Sequence, residues 1–133
     1  MSRVYRIQDR EGRGPWRPGL SHRWCDSHLA EGVEDMPSTL KEFGADFLER
    51  RRLPREHVGC AVRKVRYIAR WVSKTEIERL DALGFRLVSI HPDRILAESQ
   101  NQIVFACRAP LARSATILPW SLVYLSVGEM VHV

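Results

Sequence analysis

A chain of 133 residues with 44% apolar and 28% charged side chains has the profile of one globular domain that buries a core without covalent staples, residues 1–133 as a single unit. No apolar run reaches the length of a spanning helix, and Met1-Ser2-Arg3-Val4-Tyr5 lacks the apolar core of a secretion signal, so a soluble cytoplasmic protein without membrane contact is expected. The net charge of +5 comes from 21 basic and 16 acidic side chains and leaves an anionic partner possible without requiring one.

Val4 to Gln8 reads as a first short strand. It enters a loop, Asp9 to Trp24, that holds Gly12, Gly14, Pro15, Trp16, Pro18 and Gly19. Residues 25–37 carry acids and few core-type side chains and read as surface loop or a short helical turn. Ser38 can cap a helix over 39–51, with Leu40, Phe43, Phe47 and Leu48 on one side, and Pro54 stops it. A second helix is predicted over 59–72, with Val62, Val65, Ala69 and Val72 on one face and Arg63, Arg66 and Arg70 on another. Ser73-Lys74-Thr75-Glu76 is a capping box that starts a third helix over 74–83, with Gly84 just past its end. Phe85 to His91 is rich in strand formers, Ile95 and Leu96 can extend an edge, and Gln102 to Arg108 is the clearest strand. The apolar tail from Ala115 to Val133, interrupted by Pro119 and Gly128, can supply one or two more. The order implies an α+β fold: a small mixed or antiparallel sheet with helices inserted between its first and later strands.

Charge is laid out in blocks: +4 over residues 1–24, −6 over 25–49, +7 over 50–72 and neutral beyond. Arginine outnumbers lysine 18 to 3, which a GC-rich genome and a need for planar phosphate-binding forks explain equally well. An arginine row through Arg63, Arg66 and Arg70 can follow a nucleic-acid backbone, or it can be a solvated face balanced by the acidic block. In the glycine-proline loop the glycines permit close backbone approach, Trp16 can stack on a flat ring, and Arg6, Arg13 and Arg17 can hold phosphates. No Gly-Lys-Ser/Thr follows, so it is not a Walker phosphate loop, and the alternative is a rigid surface loop whose tryptophan covers the core. Cys25, Cys60 and Cys107 are too few and too scattered for a disulfide framework. His22, Cys25 and His28, or His57 with Cys60, match no standard zinc pattern, so no metal is expected. The polar turn Glu98-Ser99-Gln100-Asn101-Gln102 opens the clearest strand and places Glu98 and Gln102 near its mouth.

Two resemblances join these residues. Val4-Tyr5-Arg6-Ile7 and Gln102-Ile103-Val104-Phe105 together resemble the ADP-ribosyltransferase fold, in which an early strand carries an arginine or histidine that contacts NAD. In that family a late strand opens on Glu-x-Glu before an apolar run. The resemblance implies NAD as cofactor, with Arg6, Gln102 and Glu98 as catalytic positions. Gln102 and Gln100 stand where the family has its glutamates, which implies weakened transfer chemistry unless the turn folds Glu98 back. The opening Tyr-Arg-Ile and Gly-Arg-Gly-Pro also resemble small accessory proteins of phages and mobile elements, among which inhibitors of host defence such as anti-CRISPR proteins are found. That resemblance implies no cofactor and a host protein or ribonucleoprotein complex as partner. Three functions are thus expected in turn: an inhibitor of a host complex, an ADP-ribosyltransferase, and a nucleic-acid-binding module using the arginine-rich surface.

Overall fold

Residues 2–17, 19–25, 34–44, 46–47 and 52–124 are described in a computed structural model of the chain. Within them run β1 (Val4–Gln8), α1 (Thr39–Phe43), β2 (His57–Ala61), α2 (Lys74–Ala82), β3 (Arg86–Ile90), β4 (Arg94–Glu98), β5 (Ile103–Cys107), α3 (Leu111–Ser114) and β6 (Ala115–Leu118). Short 3-10 helices cover Ser21–Arg23, Val65–Arg70 and Trp120–Tyr124. The expected α+β architecture is present, but the strands divide into two antiparallel sheets of three, ordered β1-β3-β6 and β2-β5-β4. Each central strand is covered on both faces, and so β5 reads as the unbroken apolar run Ile-Val-Phe-Ala-Cys, buried at all five positions.

Val4, Val88 and Ile90 of the first sheet share a core with Ala61, Ile103 and Phe105 of the second, and among the described residues one isolated backbone bridge links the sheets. Tyr5 and Val62 exchange both backbone hydrogen bonds, at 2.9 and 2.8 Å, and tie β1 to the residue just after β2. Among the described residues no further backbone bridge pairs the two strands.

The capping box forms as the sequence demands: Ser73 Oγ accepts from the Glu76 N–H at 3.1 Å, and Glu76 Oε1 accepts from the Ser73 N–H at 3.0 Å. At the other end of α2, Gly84 takes a φ of +94°, Gly84 N–H bonds to Asp81 O, and Phe85 N–H bonds to Leu80 O. This pair of bonds satisfies carbonyls that the helix leaves open. Leu80 is fully buried and packs with Trp24, Trp71, Val72, Phe85 and Leu87 in the larger core.

The structure corrects the predicted helix over 59–72. Residues 57–61 instead form β2, paired with β5, and only Val65–Arg70 turns, as a 3-10 helix. Val58, Cys60 and Val62 also fit a period of two, Gly59 and the valines are poor helix formers, and pairing with the buried β5 decides the outcome. Arg63, Arg66 and Arg70 therefore share no α-helical face. The helix predicted over 39–51 is interrupted after Phe43, where Gly44 adopts a φ of +96°, and Phe47 is helical again. Leu48 to Arg51, and the tail beyond Tyr124, lie outside the described residues.

Candidate functional site

The glycine-proline loop is built on Asp9. Its Oδ1 accepts from the N–H groups of Glu11 (3.0 Å) and Arg13 (2.9 Å), and Arg13 Nε reaches Oδ2 at 3.1 Å. Partial burial raises the Asp9 pKa, but these N–H bonds and the Arg13 side chain outweigh it and leave the carboxyl below its ordinary value. Gly12 turns with a φ of +86°. Trp24, fully buried, donates its indole N–H to Pro15 O at 3.1 Å and meets Trp16 edge to face at 5.3 Å. The loop is thus pinned at both ends, with Trp16 two-fifths exposed at its tip.

Between this loop, β1, β2 and the segment Met36–Thr39 lies a cleft of about 540 Å³. Arg6 lines it from β1, and its side chain reaches across to β2. Its Nη1 donates to Cys60 O at 3.2 Å and its Nη2 to Gly12 O at 3.4 Å, while Nε is buried without a partner. The guanidinium lies 6.0 Å from the Phe105 ring centre and passes directly over Gly59. A Cβ at Gly59 would stand 2.0 Å from Arg6 Nη1, and one at Gly14 would stand 3.3 Å from Nη2. Two glycines therefore make the room for one guanidinium. Among the described residues no carboxylate comes within ion-pair distance of Arg6. Burial pulls its pKa below the ordinary arginine value, opposed by Cys60, Asp9 and Cys107.

Gln102 lines the same cleft. Its Nε2 donates to Pro37 O at 2.8 Å and to Glu42 Oε1 at 2.7 Å. Both partners are acceptors, which fixes the amide nitrogen toward them and leaves Oε1 as the atom free to accept. Glu42 also accepts from Ser99 Oγ (3.0 Å) and Asn101 Nδ2 (3.1 Å). Burial raises the Glu42 pKa, and the donors Gln102, Asn101 and Ser99 together bring it below the ordinary value.

Of the residues singled out in the sequence, Arg6, Arg13, Trp16 and Gln102 converge on the cleft. Arg17 sits 3.9 Å from Asp9 and belongs to the loop's own scaffold. Glu98 lies at the end of β4 and is gripped by Arg63, with Nε at 2.8 Å, outside the residues that line the cleft. Arg70 pairs with Glu34 at 2.8 Å and lies over Trp71, and Arg66 lies over Tyr67. His28 falls outside the described residues, and among those described no three His, Cys, Asp or Glu side chains gather as a metal site. Gly59 and Glu42 were missed. A glycine inside a strand signals close approach of another group, a signal hidden here by the helix predicted across it. Glu42 reads as an outer helix position, and only the tertiary fold brings it to Gln102.

Among the described residues no helix is long and apolar enough to cross a membrane. Comparison with curated proteins and with solved structures found no match. A family model described as bacteriophage T4 Y00F protein matches residues 1–117, which span β1, the loop, the cleft and all of β5. The chain belongs to the bacteriophage T4 Y00F protein family.

Proposed function

We propose that this phage protein works by binding: it holds a phosphate-bearing ligand of the nucleotide class in the cleft, and with that surface engages and inhibits a host protein or ribonucleoprotein complex in the cytoplasm. A defence system of the CRISPR type fits as target. The observation that carries the reading is Arg6, a buried guanidinium that faces a cleft, donates only to backbone carbonyls and has no described carboxylate partner. A buried charge is costly without a counter-charge, and a bound anion supplies one. Trp16 offers a flat apolar wall, and Gln102 Oε1 an acceptor for a hydroxyl or amide. Membership of a phage family supports a host target. Calorimetry with pyrophosphate, ADP and ADP-ribose tests the cleft: binding that Arg6→Gln abolishes is expected, and heats unchanged by that substitution end the proposal. Affinity purification from host lysate with both forms tests the target, since an inhibitor recovers one complex in stoichiometric amount.

ADP-ribosyl transfer from NAD is the second reading. It is favoured by the convergence of Arg6 and Gln102, the two positions named by the family resemblance, on one cleft. An amide at Gln102 offers no charge to a developing oxocarbenium ion, which supports binding over turnover. Release of nicotinamide from NAD, lost in Arg6→Gln, would favour the transferase; no release at millimolar NAD removes it.

A further inference from the structure

The 3-10 helix Val65–Arg70 carries a surface that the cleft does not use. With three residues per turn, side chains three apart fall in line. Val65 and Ile68 point inward and are buried, while Lys64, Tyr67 and Arg70 form the outward row. Tyr67 N–H bonds to Lys64 O at 3.0 Å, which sets the turn, and the Tyr67 ring is 42% exposed. Two cations lie over it, Arg66 at 5.6 Å and Lys64 at 6.0 Å from the ring centre, both beyond stacking contact and on side chains long enough to turn to a phosphate.

The four basic residues of this stretch are not equivalent. Arg63 is neutralised by Glu98 and Arg70 by Glu34. Lys64 and Arg66 have no ion-pair partner among the described residues. Among the described residues, folding has therefore paired two cations with carboxylates and left without one the two beside an exposed aromatic ring. We propose that Tyr67, Lys64 and Arg66 form a stacking platform for single-stranded nucleic acid, the ring meeting a base face and the two cations the adjoining phosphates. Stacking on an aromatic face with cations along the backbone is the chemistry that single strands require and that a duplex, with its bases covered, cannot offer. An acidic peptide would satisfy the cations and leave the ring without a planar partner. The platform is independent of whether the cleft is filled.

The test is fluorescence anisotropy with short labelled oligothymidylate and oligouridylate at about 50 and 200 mM KCl. Binding of either supports the proposal, and the preferred one says whether DNA or RNA is the natural strand. Tyr67→Ala is expected to weaken binding about tenfold and Tyr67→Phe to leave it unchanged. Lys64→Ala with Arg66→Ala should weaken it about tenfold and flatten the salt slope by about 1.4, the share of two single-strand phosphate contacts. Arg63→Ala with Arg70→Ala removes the same formal charge and should change affinity less than about twofold, because those cations are already paired. Tyr67 is exposed, so thermal melting of each variant should match the parent; Tyr67→Leu serves if Tyr67→Ala does not. The proposal is overturned by equal loss in the two double variants, by binding that survives Tyr67→Ala and Tyr67→Leu, by preference for a duplex, or by no binding of either strand at about 50 mM KCl.

Discussion

Arg6 on β1 and Arg94 on β4 both extend from edge strands of their sheets, and the fold treats them in opposite ways. Arg94 is partly exposed and grips Glu56 with Nε at 2.9 Å and Nη2 at 2.8 Å. Glu56 Oε1 also accepts from the Leu53 N–H at 2.7 Å, and Arg52 caps the Glu56 carbonyl at 3.0 Å. That region is electrostatically closed and fastens the turn before β2 to the second sheet. Arg6 is more deeply buried, meets two carbonyls and no described carboxylate, and opens on a cleft. The difference separates structural arginines from one whose charge the fold leaves for something else. A net charge of +5 says nothing about this; the pairing does.

The largest way to break the contrast is to remove the cleft's support. Trp24→Ala deletes a fully buried indole that anchors Pro15 and backs Trp16, and should cost about 3–5 kcal/mol in urea unfolding. The Glu56–Arg94 region lies in the other sheet, so its acid response should persist in whatever fraction remains folded.

Gly59→Ala sharpens the contrast more selectively. Its new Cβ would stand 2.0 Å from Arg6 Nη1, 2.9 Å from Leu111 Cδ1 and 3.0 Å from Phe105 Cζ. Overpacking of this kind costs about 1–3 kcal/mol. It should also push the guanidinium aside and abolish any anion binding in the cleft. Placing the alanine in an Arg6→Ala background should recover much of the stability, because the clash partner is gone; simple additivity in that double-mutant cycle would show that Gly59 does not serve Arg6.

On the closed side, the Arg94 guanidinium and the Leu53 N–H hold the Glu56 carboxyl down to about 2, against 4.5 ordinarily. As pH falls below 4.5 the unfolded chain takes up this proton first, so stability from the group is complete above 4.5 and is lost progressively toward 2. Glu56→Gln should flatten that limb of the stability-versus-pH curve. Asp9, Glu42 and Glu98, also below their ordinary values, should keep part of it. A curve as steep in Glu56→Gln as in the parent would mean that the pair is not formed in solution.

These effects also show what could be read from the chain beforehand. The capping box at Ser73, the stop at Gly84 and the apolar run of β5 are local, and each formed as its residues dictate. Arg6, Arg13, Trp16 and Gln102 could be chosen because residue type and loop chemistry point the same way, and all four reach one cleft. What stayed hidden depends on pairing across the chain. Residues 57–61 have a period that fits helix or strand, and only β5 settles it. The partners of Arg63, Arg70 and Arg94 lie 35, 36 and 38 residues away, and Glu42 lies 60 from Gln102. No local pattern links such residues.

The smallest expected effect is the most useful for function. Arg63 and Glu98 form an ion pair with both side chains more than two-fifths exposed. Solvent screens such a pair, and ordering two long side chains offsets most of the attraction. Glu98→Ala should therefore leave the unfolding midpoint within the scatter of replicate denaturation curves. Any change in nicotinamide release from NAD in this variant would then reflect chemistry and not damage to the fold. Arg6→Gln gives no such clean separation, because it removes the hydrogen bonds to Cys60 O and Gly12 O along with the charge. If Glu98→Ala leaves both stability and NAD turnover unchanged while Arg6→Gln abolishes ligand binding, Glu98 belongs with Arg94 and Glu56 on the closed side of the contrast. The cleft then works through its cation and its fixed amide alone.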